Sequence, residues 1–257
     1  KADAPLYFYG SKPFNNILFR NELKTKARAT FNLGAHKFTR GPLWVEVPRQ
    51  CIYFTGGQTV RGLPSSQITS IDTLRDFSVI AEPSMLTERK DHSLVYHDGY
   101  IYVLGGNGAK KILSECERLS IEDNTWETLP PLSNHSWGIR AIVLESTRTL
   151  YAIGGASDRY FRVIQKLCLD TLSWEVLNLD LGVDIVNICV FKTNESSFYA
   201  VVINQLYSYE PASNTFKPVV KLGTPVVNYG PNCIYWGGKI HYGNFKGFLK
   251  TTKVGEL

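Results

Sequence analysis

Residues 93–132 read SLVYHDGYIYVLGGNGAKKILSECERLSIEDNTWETLPPL. Ser93 to Tyr96 is a short apolar run. His97-Asp98-Gly99 is turn chemistry, since Asp-Gly supplies the positive φ of a tight hairpin. Tyr100 to Leu104 is a second run, closed by Gly105-Gly106. Asn107 to Ser114 is a polar loop. Glu115 to Glu122 alternates and predicts a third strand. Asp123-Asn124-Thr125 is a turn, Trp126 to Leu129 a fourth strand, and Pro130-Pro131 ends it. The stretch therefore predicts four antiparallel strands, with no helical periodicity.

The same pattern recurs on both sides. CIYFTGG (51–57), YIYVLGG (100–106) and TLYAIGG (149–155) place Gly56-Gly57, Gly105-Gly106 and Gly154-Gly155 at a constant spacing of 49 residues. The tyrosines Tyr7, Tyr53, Tyr102, Tyr151 and Tyr199 follow at intervals of 46, 49, 49 and 48. A second aromatic, Phe31, Phe77, Trp126, Trp174 or Phe216, lies 24, 24, 24, 23 and 17 residues further on. A period near 50 built of strands marks repeated sheet modules. Four-stranded sheets repeated radially make an all-β propeller. No unit can bury both its faces alone, so each needs a neighbour. The aromatics supply bulk between sheets, and the glycines permit positive φ and close backbone approach.

Some units depart from the pattern. The first has Gly10-Ser11 where the diglycine belongs, and the fifth has Val202-Ile203. Gly237-Gly238 is a decoy: Ile234-Tyr235-Trp236 precedes it and Lys239-Ile240-His241-Tyr242 follows, so it reads as a hairpin turn like Asp98-Gly99. The expected diglycine position of that unit is near Gly243-Asn244. Six second strands follow, starting near Tyr7, Tyr53, Tyr102, Tyr151, Tyr199 and Ile240. The expectation is one propeller domain over 1–257, with units at about 1–39, 40–87, 88–133, 134–180, 181–224 and 225–257. The first unit lacks its first strand and the last its fourth. Five blades plus a shared closing blade is the alternative.

At 257 residues and 44% hydrophobic, the chain can fill a large core. It starts at Lys1 without a signal-like apolar stretch, which reads as part of a longer protein. No run of 18 apolar residues implies a membrane span. The net charge of +5 is mild and dispersed, against a nucleic-acid footprint. The cysteines, Cys51, Cys116, Cys168, Cys189 and Cys233, are five in number, form no CxxC and lie in or beside strand-like runs. They read as free thiols of a reducing compartment, hence a cytoplasmic location, against which stand the sequons at Asn134 and Asn194.

No catalytic or cofactor constellation emerges. His36, His92, His97, His135 and His241 form neither HxH nor HExxH, so neither a metal nor any other cofactor is implied. There is no GxSxG, no phosphate loop and no GxGxxG after a strand. The carboxylates are scattered, mostly in turns.

IYVLGG, followed by a strand such as ECERLSIE and then NTWETLPPL, resembles the kelch repeat. The resemblance is sharp over Asp91 to Leu132, good over Cys51 to Ser84 and Leu150 to Leu177, and weak at the ends. It implies propeller blades, and a partner protein docked on one mouth of the ring. That mouth is formed by the loops entering each first strand and those following each second strand. It implies Arg40, Arg89, His92, His135, Trp137 and Arg140 on the first set of loops, and Arg61, Lys110, Lys111, Arg159, Tyr160, Phe161 and Arg162 on the second. Basic residues with aromatics have the composition of a binding hot spot, and arginine can pair bidentately with acidic side chains. Arg40 and Arg89 have an alternative use, bonding loop carbonyls between blades. The expected function is a non-enzymatic protein-interaction module, binding a partner with an acidic segment within a larger chain or complex. It would serve as a substrate receptor, such as a ubiquitin-ligase adaptor, or as a scaffold. A cytoskeletal or axonemal subunit and a kelch-type sugar- or metal-dependent enzyme are the alternatives.

Overall fold

A computed structural model describes residues 6–12, 15–21, 28–32, 42–47, 51–75, 77–158, 163–177, 185, 188–223, 233–236, 238–243 and 249–254. The described residues form six antiparallel sheets in chain order. The first comprises β1 (Leu6–Lys12), β2 (Asn15–Asn21) and β3 (Arg28–Asn32). The second comprises β4 (Leu43–Val47), β5 (Cys51–Thr55), β6 (Ile68–Asp72) and β7 (Val79–Glu82). The third comprises β8 (Ser93–His97), β9 (Tyr100–Leu104), β10 (Cys116–Ser120) and β11 (Thr125–Leu129). The fourth has β12 (Arg140–Leu144), β13 (Thr149–Ile153), β14 (Ile164–Cys168) and β15 (Ser173–Leu177). The fifth has β16 (Cys189–Phe191), β17 (Phe198–Val202), β18 (Gln205–Glu210) and β19 (Thr215–Lys221). The sixth has β20 (Cys233–Trp236), β21 (Lys239–Gly243) and β22 (Leu249–Lys253). This is the all-β kelch-propeller architecture that the repeat predicts.

In each sheet from the second to the fifth, the strands lie side by side in chain order. The first strands of successive sheets touch: β4 packs on β8, β8 on β12, β12 on β16 and β16 on β20. The core is divided accordingly into interfaces between sheets. Leu43, Tyr53, Ile68 and Met85 of the second unit meet Leu94, Ile101, Val103 and Leu119 of the third, with Trp126 packed alongside. Tyr102, Leu104 and Leu129 meet Val143, Leu150 and Leu167, with Trp174 alongside. Tyr151, Ile153 and Ile164 meet Val190, Phe198 and Tyr209, with Phe216 alongside. Phe191 and Leu206 of the fifth unit meet Ile240 of the sixth. The spaced aromatics thus fill the gaps between sheets, which is where a stack of amphipathic sheets must bury its surface.

Trp126 and Trp174 also bind across those gaps. Trp126 Nε1 donates to Pro83 O at 2.9 Å, and Trp174 Nε1 donates to Pro130 O at 2.8 Å. Each indole therefore reaches the turn that closes the preceding unit.

Three local details differ from the sequence expectation. The third strand of the best unit stops at Ser120 instead of Glu122, because Asp123 N donates to Ser120 Oγ and Ile121 N to Gly99 O. Those bonds start the turn early. Phe77 is not on the fourth strand. Asp72 Oδ1 accepts from Leu74 N and Arg75 N, and the turn before β7 is longer than its equivalents. Val79 opposes Ile71 where Trp126 opposes Leu119, and Phe77 is left in the turn at φ 52°. Finally, Cys51, Cys116 and Cys168 are free thiols, but Cys189 is disulfide-bonded. Cysteine usage therefore does not assign a compartment.

Candidate functional site

The diglycines join neighbouring sheets at one edge. In every sheet with a diglycine, the second strand ends where the first begins: Leu43 opposes Thr55, Ser93 opposes Leu104 and Arg140 opposes Ile153. The second glycine of each pair then donates its N–H to the segment leading into the next sheet. Gly57 N donates to Arg89 O at 3.0 Å, Gly106 N to Ser136 O at 2.7 Å and Gly155 N to Ile185 O at 2.6 Å. The first glycine of each pair has φ of 57–66° and lies against the same carbonyl. One carbonyl per junction thus occupies the space a Cβ would need. These bonds also fix direction, so the loops after each second strand share one face with the segments leading into each first strand.

Arg89 is the buried pin of that face. Its side chain is 0% exposed, and NH2 pairs with Glu117 Oε1 at 2.6 Å. NH1 donates to Gly105 O at 2.7 Å and to Glu115 O at 2.9 Å. Glu117 Oε2 in turn accepts from Leu86 N at 2.7 Å. The guanidinium therefore bonds loop carbonyls and a carboxylate of its own unit and, through Glu117, holds the backbone that carries Leu86. A buried charge is tolerated here because it is paired and its donors are matched.

His92 is also fully buried, with Nε2 2.7 Å from Thr55 Oγ1 across the junction. Burial, and then the charge of Arg89, push its pKa well below 6.5. The unfolded chain takes up this proton first, so stability is full above about pH 6.5 and falls as pH drops from there toward the depressed folded value. The expected slope is up to about 1.4 kcal/mol per pH unit. Urea unfolding between about pH 8 and pH 5 should show this slope in the native chain and lose it in His92→Gln.

The loops on this face are held by backbone bonds. Ser65 N donates to Gly57 O and Arg89 N to Ser65 O, each at 3.0 Å. Lys90 and Asn107 exchange both bonds, as do Trp137 and Ala156. On this frame Thr59 N donates to Leu63 O at 2.8 Å and Gly62 N to Thr59 O at 2.9 Å, closing a tight tip. That tip exposes Val60 (85%), Arg61 and Leu63 (56%), and Leu86 (59%) is exposed on the loop that is tied to it. Met85 N, next to Leu86, donates to Ser66 O at 2.9 Å.

The residues singled out from sequence separate into groups. Arg61, Lys110, Lys111 and His135 are exposed on this face, and Trp137 is half-buried there. Lys111 pairs with Glu115. Arg89, His92 and Arg140 lie beneath the surface. Arg140 NH1 donates to Ile139 O at 3.0 Å, and burial depresses its pKa to about 10 against the pull of Asp91. Arg40, Arg159, Tyr160, Phe161 and Arg162 lie outside the described residues. The aliphatic neighbours of Arg61 were not picked out by sequence reasoning. Their signal is Val-Arg-Gly-Leu in a loop between Gly57 and Pro64, where no strand can bury the two side chains.

Among the described residues, no group of three or more His, Cys, Asp or Glu is placed to hold a metal ion. None of the described helices is long and apolar enough to cross a membrane.

A sequence model of the kelch motif matches residues 88–133, the unit that includes Arg89, the Gly105-Gly106 pair and Trp126. Kelch-like protein 35 of Mus musculus is 26% identical over 161 residues. The match covers 62% of this chain and 27% of that protein, so the chain spans only a minor part of its relative's length. A kelch motif is thus matched over residues 88–133 of a chain that folds as a kelch-type propeller, with repeated four-stranded sheets and diglycine junctions.

Proposed function

We propose that this chain is a non-enzymatic protein-binding module that takes a partner segment on its loop face, as the receptor or scaffold part of a larger assembly. One observation carries the reading: Val60, Leu63 and Leu86 are exposed around Arg61 on loops held by backbone hydrogen bonds. Large aliphatic side chains on a rigid, solvent-facing tip are typical of a contact surface, and the central arginine supplies direction. Arg61, Lys110 and Lys111, with Arg40 and Arg159–Arg162 as further candidates, favour an acidic partner. Arg89 acts below the surface, by holding Leu86 through Glu117.

The test is the triple variant Val60→Ser, Arg61→Ala, Leu63→Ser, compared with the native chain in quantitative affinity capture. Retained partners are expected to fall at least tenfold, about 1.4 kcal/mol or more. Thermal unfolding should be unchanged, because none of the three side chains is in the core. Equal retention of every partner by the two proteins would refute the proposed face.

A further inference from the structure

The rim of this face is uneven. Between second and third strands, the second and third sheets carry loops at 56–67 and 105–115, whereas the fifth carries only Ile203-Asn204. Ile203 occupies the place of the second diglycine residue, with φ 57°, and is 56% exposed. A two-residue hairpin with positive φ is ordinarily built from Asn or Gly, and a β-branched residue there is a conformational outlier. Strain of this kind at an exposed position points toward function. The neighbouring side chains fit. Leu222 N donates to Asn204 O at 2.6 Å, which brings the end of β19 beside the turn. Val219 is exposed there, and Lys221 is exposed with no ion pair among the described residues.

The geometry points to a notch in the rim at the fifth sheet, where an extended partner segment leaves the face. An aliphatic side chain of that segment rests on Ile203, and an adjacent carboxylate pairs with Lys221. This rests on the proposed loop-face function and specifies it: the low rim gives passage, the strained isoleucine gives apolar contact, and the exposed lysine selects the charge.

The probe is a linear peptide library displayed on phage and selected on the native chain, with affinities of the selected peptides measured by fluorescence polarisation. The variants are Ile203→Gly, Lys221→Glu and Arg61→Ala. The expected peptides carry an aliphatic residue next to Asp or Glu. Ile203→Gly should raise the unfolding midpoint, because glycine relieves the left-handed backbone, and yet weaken these peptides at least tenfold. Lys221→Glu should weaken them similarly. Peptides weakened by Arg61→Ala and untouched by Ile203→Gly overturn the notch and leave the loop face standing. Peptides indifferent to all three variants overturn both. A selection without an aliphatic–acidic consensus overturns the notch, as does a lowered midpoint in Ile203→Gly, which would mean the chain itself covers that side chain. Light scattering closes the remaining route: a native chain that self-associates through Ile203 makes a second copy the occupant, and the proposal fails.

Discussion

Arg89→Met is expected to lower the unfolding free energy by about 3–5 kcal/mol, the range for leaving one member of a buried ion pair alone. Methionine fills much of the same volume but matches no polar group. Glu117 would keep its bond from Leu86 N and lose its cation, while Gly105 O and Glu115 O would lose the guanidinium donors. Screening by solvent does not soften this, because the two side chains are 0% and 3% exposed. Urea unfolding of Arg89→Met, Glu117→Gln and the double variant separates the charge effect from packing. The double variant should recover at least 1 kcal/mol relative to the sum of the singles, since contacting partners are not additive. Strict additivity would mean that the pair is not coupled. The double variant should still loosen the backbone at Leu86, read as faster amide exchange there, because glutamine is a weaker acceptor than the carboxylate.

Gly105→Ala carries the second large effect, a loss of about 2–5 kcal/mol. The backbone at Gly105 has φ 57°, and an added Cβ would lie 2.5 Å from Ser136 O. Left-handed backbone costs a residue with a side chain about 1–2 kcal/mol, and forcing a methyl into filled space costs about 1–3 more. The obstructing atom is a carbonyl that already accepts from Gly106 N, so it cannot retreat without breaking the junction. Gly99→Ala is the internal control, with φ 80° and nothing within 4 Å of the added Cβ. It should lose only the backbone part, about 1–2 kcal/mol. If the two alanine variants unfold at the same midpoint, the glycines serve only the backbone conformation, and the close-approach account of the repeat fails.

Much of the strand pattern was legible in the chain because its cause is local. Alternating apolar runs, Asp98-Gly99 and Asn124 make strands and hairpins whatever lies around them. Trp126 and Trp174 were legible as bulk between sheets, because an indole on a sheet face needs a neighbouring sheet. Phe77 shows the limit: its spacing from Tyr53 matched the series, but Asp72 capped a longer turn and moved the register by two places, so that Val79 stands where Trp126 does in the next unit. A spacing rule cannot detect such a compensation, since it counts residues and not hydrogen bonds.

The candidate site was legible in outline only. Arg61 and Arg89 look alike in sequence, each a lone arginine in a loop. One is exposed on a tight tip and the other is sealed against Glu117, 28 residues away in the chain. The sequence alone determined the repeat and the strand order, because these follow from nearest-neighbour chemistry. Only the tertiary structure decided which loop residues face solvent and which hold the junctions. That choice depends on carbonyls and carboxylates that come from neighbouring sheets, and they reach the same point only when the sheets pack.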